Sequence, residues 1–264
     1  MNTHDPDNHL ELRQRIHDLS PWHLDIEVVP GLRTGDAASF EMTAQQNVSF
    51  VDGESPFKEL LHEVFPHGLS GRSFLDIACN CGAYAFWARD IGAGRCLGFD
   101  AREHWIRQAR FLAEHRRENP PIEFHVGDVM KLDEYGWGSF DVTYFGGILY
   151  HLPFPMDALR SVAAVTGELL YLTTASRPSD SVSGFVMARE SPSAPMSGMY
   201  GLHWFPTGPN VVIRILEHLG FCEFRVLYNK SVEQREPDTR GPATGPRRNG
   251  RFALLASKTA GLLG

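Results

Sequence analysis

Between Arg72 and Asp100 the chain reads RSFLDIACNCGAYAFWARDIGAGRCLGFD, and no other stretch constrains the fold as much. Ser73 to Ala78 is a short apolar run of the kind that forms a buried parallel strand, with Asp76 near its carboxyl end. Cys79 to Gly82 makes a tight turn, Ala83 to Ile91 carries helical spacing, and a second strand ends in Asp100. Strand, turn, helix and strand in this order build open α/β sheets, which receive ligands at the carboxyl ends of their strands.

The turn narrows the ligand. A dinucleotide fingerprint needs several glycines so that the backbone can approach a pyrophosphate, yet Ala78, Cys79, Asn80 and Cys81 fill this loop and only Gly82 remains. S-adenosylmethionine carries no phosphate, so its site tolerates side chains here while backbone groups hold the amino acid end. Asp100, followed by Ala101, suits a carboxylate that accepts both ribose hydroxyls. That feature alone does not separate the methyl donor from NAD.

Two further strands are predicted. IEFHVGD ends in Asp128, where the acid and Val129 could hold the exocyclic amine and face of an adenine. FDVTYFGG starts at Phe140, passes Gly146 and leads into Tyr150 and His151 at the same loop edge. Four strand ends therefore point one way.

The segments DIACNCG, GFDARE, VGDV and GGILYHLPFPMDALRSV resemble those of class I S-adenosylmethionine-dependent methyltransferases, in particular the group related to the tRNA wobble-uridine carboxymethyltransferases. The resemblance runs from about residue 20 to 228. Its more specific parts are the LYHL turn followed by Pro153, Pro155 and a helix, and WHLDIEVVPGLRTGD near the N-terminus. Ala78 stands where the family usually has glycine. The resemblance implies a Rossmann-like α/β fold with a seven-stranded, mostly parallel sheet, helices on both faces, an N-terminal cap over 1–70 and a methyltransferase domain over 71–264.

Other elements fill this frame. A helix is predicted near His9–Leu19, a strand at LDIEVV and a helix over Pro56–Val64. A further helix over Arg102–Arg117 would place Trp105, Ala109 and Leu112 on one face. Glu168–Thr173, Phe221–Tyr228 and Arg251–Ser257 complete the strands.

With 264 residues and 42% hydrophobic content the chain can bury one large α/β core. No stretch approaches a membrane span, and the charged first twenty residues are not a secretory signal, so a cytoplasmic location is the expectation. Cys79, Cys81, Cys96 and Cys222 have neither zinc-ligand spacing nor the density of a disulfide scaffold, so reduced thiols and no required metal are expected. The 32 acidic residues against 25 Lys and Arg argue against a nucleic-acid partner. Arg235, Arg240, Arg247, Arg248 and Arg251 form one basic run, read as a solvated loop.

Residues 174–208 read as an irregular insertion after the fifth strand, where Met187, Met196, Met199, Tyr200, His203, Trp204 and Phe205 lie among serines, prolines and glycines. Such a segment is either a lid that excludes water or a surface loop with its aromatics tucked inward. Methyl transfer is an in-line displacement, so the protein aligns the acceptor and removes a proton where one must leave. His151 is the first candidate for that base and His203 the second; Tyr200, Trp204, Trp22 and His23 are candidate substrate contacts, the last two being read first as packing anchors of the cap. The reading is a methyltransferase acting at oxygen of a small molecule in secondary metabolism. A tRNA wobble-uridine methyl or carboxymethyl transferase is the alternative, followed by an NAD-linked oxidoreductase or a non-catalytic cofactor-binding protein.

Overall fold

The computed structural model describes residues 6–36, 54–116, 120–191, 196–233 and 248–264, and the chain divides into two compact units, Met1–Asp128 and Val129–Gly264. Seven strands are hydrogen-bonded into one mostly parallel sheet.

In the first unit, helix α1 (Pro6–Asp18) is followed by a short hairpin of β1 (Glu27–Val29) and β2 (Leu32–Arg33), then by α2 (Glu54–Val64). The strand predicted at LDIEVV therefore starts only at Glu27, because Thr34 binds the upstream backbone instead, donating from its hydroxyl to the Leu24 carbonyl and accepting from the Ile26 N–H. There follow β3 (Ser73–Ile77), α3 (Ala83–Asp90), β4 (Arg95–Asp100), α4 (Glu103–Arg116) and β5 (Glu123–Val126). β3, β4 and β5 pair in parallel. Phe74, Leu75 and Ile77 have no exposed surface, the continuous burial expected of a parallel strand covered on both faces. Trp105, Ala109 and Leu112 line the buried face of α4 as their spacing requires. On the same helix the Gln108 amide donates to the carbonyls of Leu19 and Pro21, fixing the N-terminal segment.

The second unit contains β6 (Phe140–Gly146), a single 3₁₀ turn at Leu149–His151, α5 (Pro155–Val165) and β7 (Thr166–Ser176). Next come β8 (Phe185–Arg189), β9 (Leu202–Pro206), α6 (Pro209–His218), β10 (Glu223–Glu233) and β11 (Arg248–Ser257). β11 runs antiparallel between β7 and β10, and the sheet order is β10-β11-β7-β6-β3-β4-β5. β7, β10 and β11 extend beyond their apolar cores because the antiparallel ladder continues to the pair Glu233↔Arg248. Backbone pairing supplies there what side-chain hydrophobicity does not.

Two expectations change. Residues 174–208 are not irregular throughout: β8 and β9 form a separate antiparallel hairpin within them. The basic run is not simply a solvated loop, since Arg248 and Arg251 belong to β11; Arg235, Arg240 and Arg247 lie outside the described residues. Among the described residues no helix is long and apolar enough to cross a membrane.

Candidate functional site

The first unit gathers its polar groups at the carboxyl ends of β3, β4 and β5. After Ile77 the backbone turns through Ala78 (φ 58°) and Asn80 (φ 52°), both in the left-handed region that glycine ordinarily occupies. Asn tolerates this conformation and here supports it, because its Oδ1 accepts the Cys81 N–H at 2.8 Å. Its own N–H donates to Asp100 Oδ2 at 3.1 Å, while the Arg102 N–H donates to Oδ1 at 2.9 Å. Gly82 then starts α3 at φ 85°, and a Cβ there would lie 2.5 Å from the Phe124 ring. Both the backbone angle and the close approach demand glycine.

Asp100 thus has one backbone donor on each oxygen and lone pairs left over for two hydroxyls. Burial pushes its carboxyl up to about 6, opposed by the amides of Arg102 and Asn80 and by the Arg102 charge. Asp76 is deeper, 1% exposed, with no aligned hydrogen bond to either oxygen. Burial pushes it up to about 8; the Ala85 amide, too poorly placed for an aligned bond, opposes the shift and the Asp100 charge adds to it. The Gly127 N–H donates to the Asp100 carbonyl at 2.9 Å and so ties the end of β5, next to Asp128, to the end of β4. Ala101 follows directly, and Val129 is buried at the head of the next segment. An orphaned buried carboxylate, an acceptor at the end of β4 and a turn with no room for a pyrophosphate cradle fit an adenosyl cofactor with a cationic amino acid end.

Cys79 and Cys81 pack beside this turn as free thiols. Burial raises the Cys79 thiol well above its ordinary value and pushes Cys81 up to about 12, in each case with the Asp76 charge adding to the shift.

The second unit contains a different cluster. Gly146 ends β6, and the turn after it presents Tyr150 and His151. The His151 ring is buried with Nδ1 2.8 Å from Glu190 Oε1, and His203 Nε2 lies 2.9 Å from the same oxygen. Glu190 immediately follows β8, and its N–H donates to the Gly201 carbonyl at 2.9 Å to close the hairpin loop. In the hairpin register Ala188 faces His203 and Val186 faces Phe205, so His203 and Phe205 share one side of β9 while Trp204 takes the other. Tyr150 stacks on Phe205 at 5.5 Å and lies 4.0 Å from the His151 ring, enclosing the cluster with aromatic surface. Burial raises the Tyr150 hydroxyl, opposed by the charge of Arg251 and by a hydrogen bond from it. Gly198 donates its N–H to Glu190 Oε1 at 2.9 Å, and a Cβ on it would stand 2.7 Å from His151 Cβ.

The predicted pair His151 and His203 is therefore brought together, with ring centroids 5.0 Å apart. The sequence reading missed Glu190, which joins them, and Gly198 and Arg251, which complete their surroundings. One signal was available: Glu190 is an acid between two histidines in a segment otherwise rich in methionine and aromatics. Tyr200 is 39% exposed, and Trp204 keeps a buried Nε1 without a hydrogen bond. Trp22 is a correction. It has no exposed surface, donates to the Ile16 carbonyl at 2.8 Å and packs on Phe111, so it anchors the N-terminal segment and offers a substrate nothing; His23 beside it is also buried.

Residues 75–168 match the family described as "Methyltransferase domain". The chain is 30% identical over 175 residues to the tRNA U34 carboxymethyltransferase of Campylobacter hominis, covering 64% of this chain and 56% of that protein. It is 28% identical over 176 residues to that of Helicobacter pylori strain G27, covering 64% and 65%. The chain thus spans little more than half the length of the first of these relatives. Among solved structures, the N-terminal domain of EvdMO1 with SAH bound superposes with a TM-score of 0.74 at 23% identity, covering 97% of this chain and 99% of that one. Magnesium protoporphyrin IX methyltransferase (ChlM) from Synechocystis PCC 6803 with bound SAM gives 0.54 at 14% identity, covering 98% and 100%.

A parallel sheet with one antiparallel insertion next to its edge, carrying an acid at the end of β4 beside a tight turn, defines the class I methyltransferase fold. Residues 75–168 thus carry a methyltransferase domain, on a fold shared with solved structures that hold S-adenosylmethionine or S-adenosylhomocysteine.

Proposed function

We propose that the protein methylates a hydroxyl group of a small molecule, in the tailoring chemistry of secondary metabolism. The observation that carries this reading is the buried His151–Glu190–His203 cluster under Tyr150 and Phe205, a polar centre walled by rings. A hydroxyl must lose its proton for its oxygen to take the methyl group, and buried imidazoles held by a carboxylate suit that task. The bound cofactor supplies an electrophilic methyl carbon on a sulfonium. On the protein side, Asp100 and the 78–82 turn hold the adenosyl part, Asp128 and Val129 take the adenine, and Gly146 and Tyr150 border the methionine end. His151 and His203 act at the acceptor, with Tyr200 and Trp204 as further contacts. In this reading residues 1–70 form a cap and 174–208 a lid.

The second reading, a tRNA wobble-uridine methyl or carboxymethyl transferase, is favoured by the curated relatives, which carry that activity in their names. The net charge of −7 speaks against it, because phosphate contacts dominate affinity for nucleic acid.

Calorimetric titration with S-adenosylmethionine, its carboxylated analogue and NAD, followed by a labelled-methyl assay on tRNA and on a panel of hydroxylated small molecules, tests both. Micromolar binding of S-adenosylmethionine with transfer to a hydroxyl is the expected result. Preference for the carboxylated donor with transfer to tRNA would replace the first reading by the second.

A further inference from the structure

We propose that His151, Glu190 and His203 form a divalent transition-metal site that binds and activates the acceptor hydroxyl. The role of the ion rests on the hydroxyl-acceptor reading above; its binding does not. The three residues each offer one ligand atom, and these atoms lie within 4.8 Å of one another. They come from the 3₁₀ turn after β6, the residue after β8, and β9.

The spacing has the dimensions of a shared ion. Ligands about 2.1 Å from a metal and at right angles to each other stand about 3.0 Å apart. Glu190 Oε1 lies 2.8 Å from His151 Nδ1 and 2.9 Å from His203 Nε2. The direction matters as much as the distance. His203 Nε2 is buried and makes no aligned hydrogen bond despite its closeness to the carboxylate. Two ligands of one ion show this relation; His151 Nδ1 instead makes a hydrogen bond to Glu190 Oε2 at 2.9 Å, a contact that a bound ion replaces.

Two imidazoles and one carboxylate favour a first-row divalent ion over magnesium or calcium, and three protein ligands leave positions open for a substrate oxygen. The Gly198 N–H is 2.9 Å from Oε1 and 3.1 Å from Nδ1. With the imidazole lone pair taken by an ion, this donor keeps the carboxylate alone, the outer support that orients a metal ligand. With those lone pairs on the ion the two histidines are ligands and no longer bases, and a hydroxyl bound to the ion loses its proton to solvent more readily. Its oxygen lone pair then forms the bond to the methyl carbon, the carbon–sulfur bond breaks, and that electron pair remains on sulfur as neutral S-adenosylhomocysteine.

The full chain, stripped with EDTA, is titrated with Co²⁺ alone while its visible d–d absorption is followed, in parallel with wild-type, Glu190→Gln and His203→Ala proteins. About one ion per chain is expected for wild type, with binding at least about tenfold weaker in both variants. Retained S-adenosylmethionine affinity shows that the variants are folded. Absent bands in wild type, or bands that persist in both variants, would overturn the site. If the EDTA-treated, ion-free protein still methylates a hydroxyl at its full rate, the metal role fails and the acceptor reading stands. If Co²⁺ binds but methyl transfer goes to tRNA and never to a small hydroxyl, the acceptor reading and the role resting on it fail, while the ion site stands.

Discussion

Position 82 shows how tightly single residues are specified. Gly82→Ala forces a left-handed alanine and drives a Cβ into the Phe124 ring, so a loss of about 2 kcal/mol or more in urea unfolding is expected, together with weaker binding of S-adenosylmethionine. Asp100→Asn keeps an acceptor for the turn but removes the charge, and each charge-assisted hydrogen bond to the ribose is worth about 1.5 kcal/mol or more. Calorimetry should show affinity down about 100-fold. Much of this was legible before the structure, because Asp76, Asp100 and Gly82 sit at places dictated by strand ends and a turn. The left-handed Ala78 was not, since nothing in a side chain announces a backbone angle that its own type disfavours. Glu190 left only a faint signal for another reason: its partners are separate in sequence and meet it only through the hairpin.

Elements differ in how they declare themselves. β3 and β4 are continuous apolar runs, and the segment from 73 to 100 reads almost directly as it folds. β8 and β9 are short, half-exposed and built from Met, His and Trp without a clean alternation, so the backbone ladder between them leaves little trace in sequence. The same hairpin presents Glu190 and His203, which makes its geometry the test of the cluster. Gly198→Ala places a methyl group against His151 and Glu190. Methyl transfer should fall at least tenfold while S-adenosylmethionine affinity stays unchanged, a split that separates the hairpin from the cofactor side. Loss of both would assign Gly198 a general structural part instead.

At the scale of the whole chain, two buried carboxyls set a pH dependence. The folded protein holds Asp76 and Asp100 protonated well above the ordinary carboxylate value of 3.8, up to about 8 and about 6. Their contribution to stability is therefore full below about pH 4 and is lost as pH rises through 6 and 8. Thermal unfolding of the ligand-free protein should show this decline, and Asp76→Asn should flatten it, gaining roughly 2 kcal/mol at the alkaline end. Cofactor affinity runs the other way at Asp100, falling as pH drops through about 6, because only the ionised carboxyl accepts both hydroxyls. Native-state alkylation should label Cys222 alone, since the other three thiols are buried.

The boundary at Asp128 has a consequence for descent. The acids and turn proposed to hold the adenosyl group lie before it, whereas Val129, Gly146 and Tyr150, proposed at the same cofactor, lie after it together with His151, Glu190 and His203. Substitutions in the hairpin segment of the later half can accumulate, be recombined or be exchanged among kin without touching the residues assigned to the donor. A lineage built on this plan keeps one donor and samples many acceptors, and the segment from 185 to 206 is where its members should differ most.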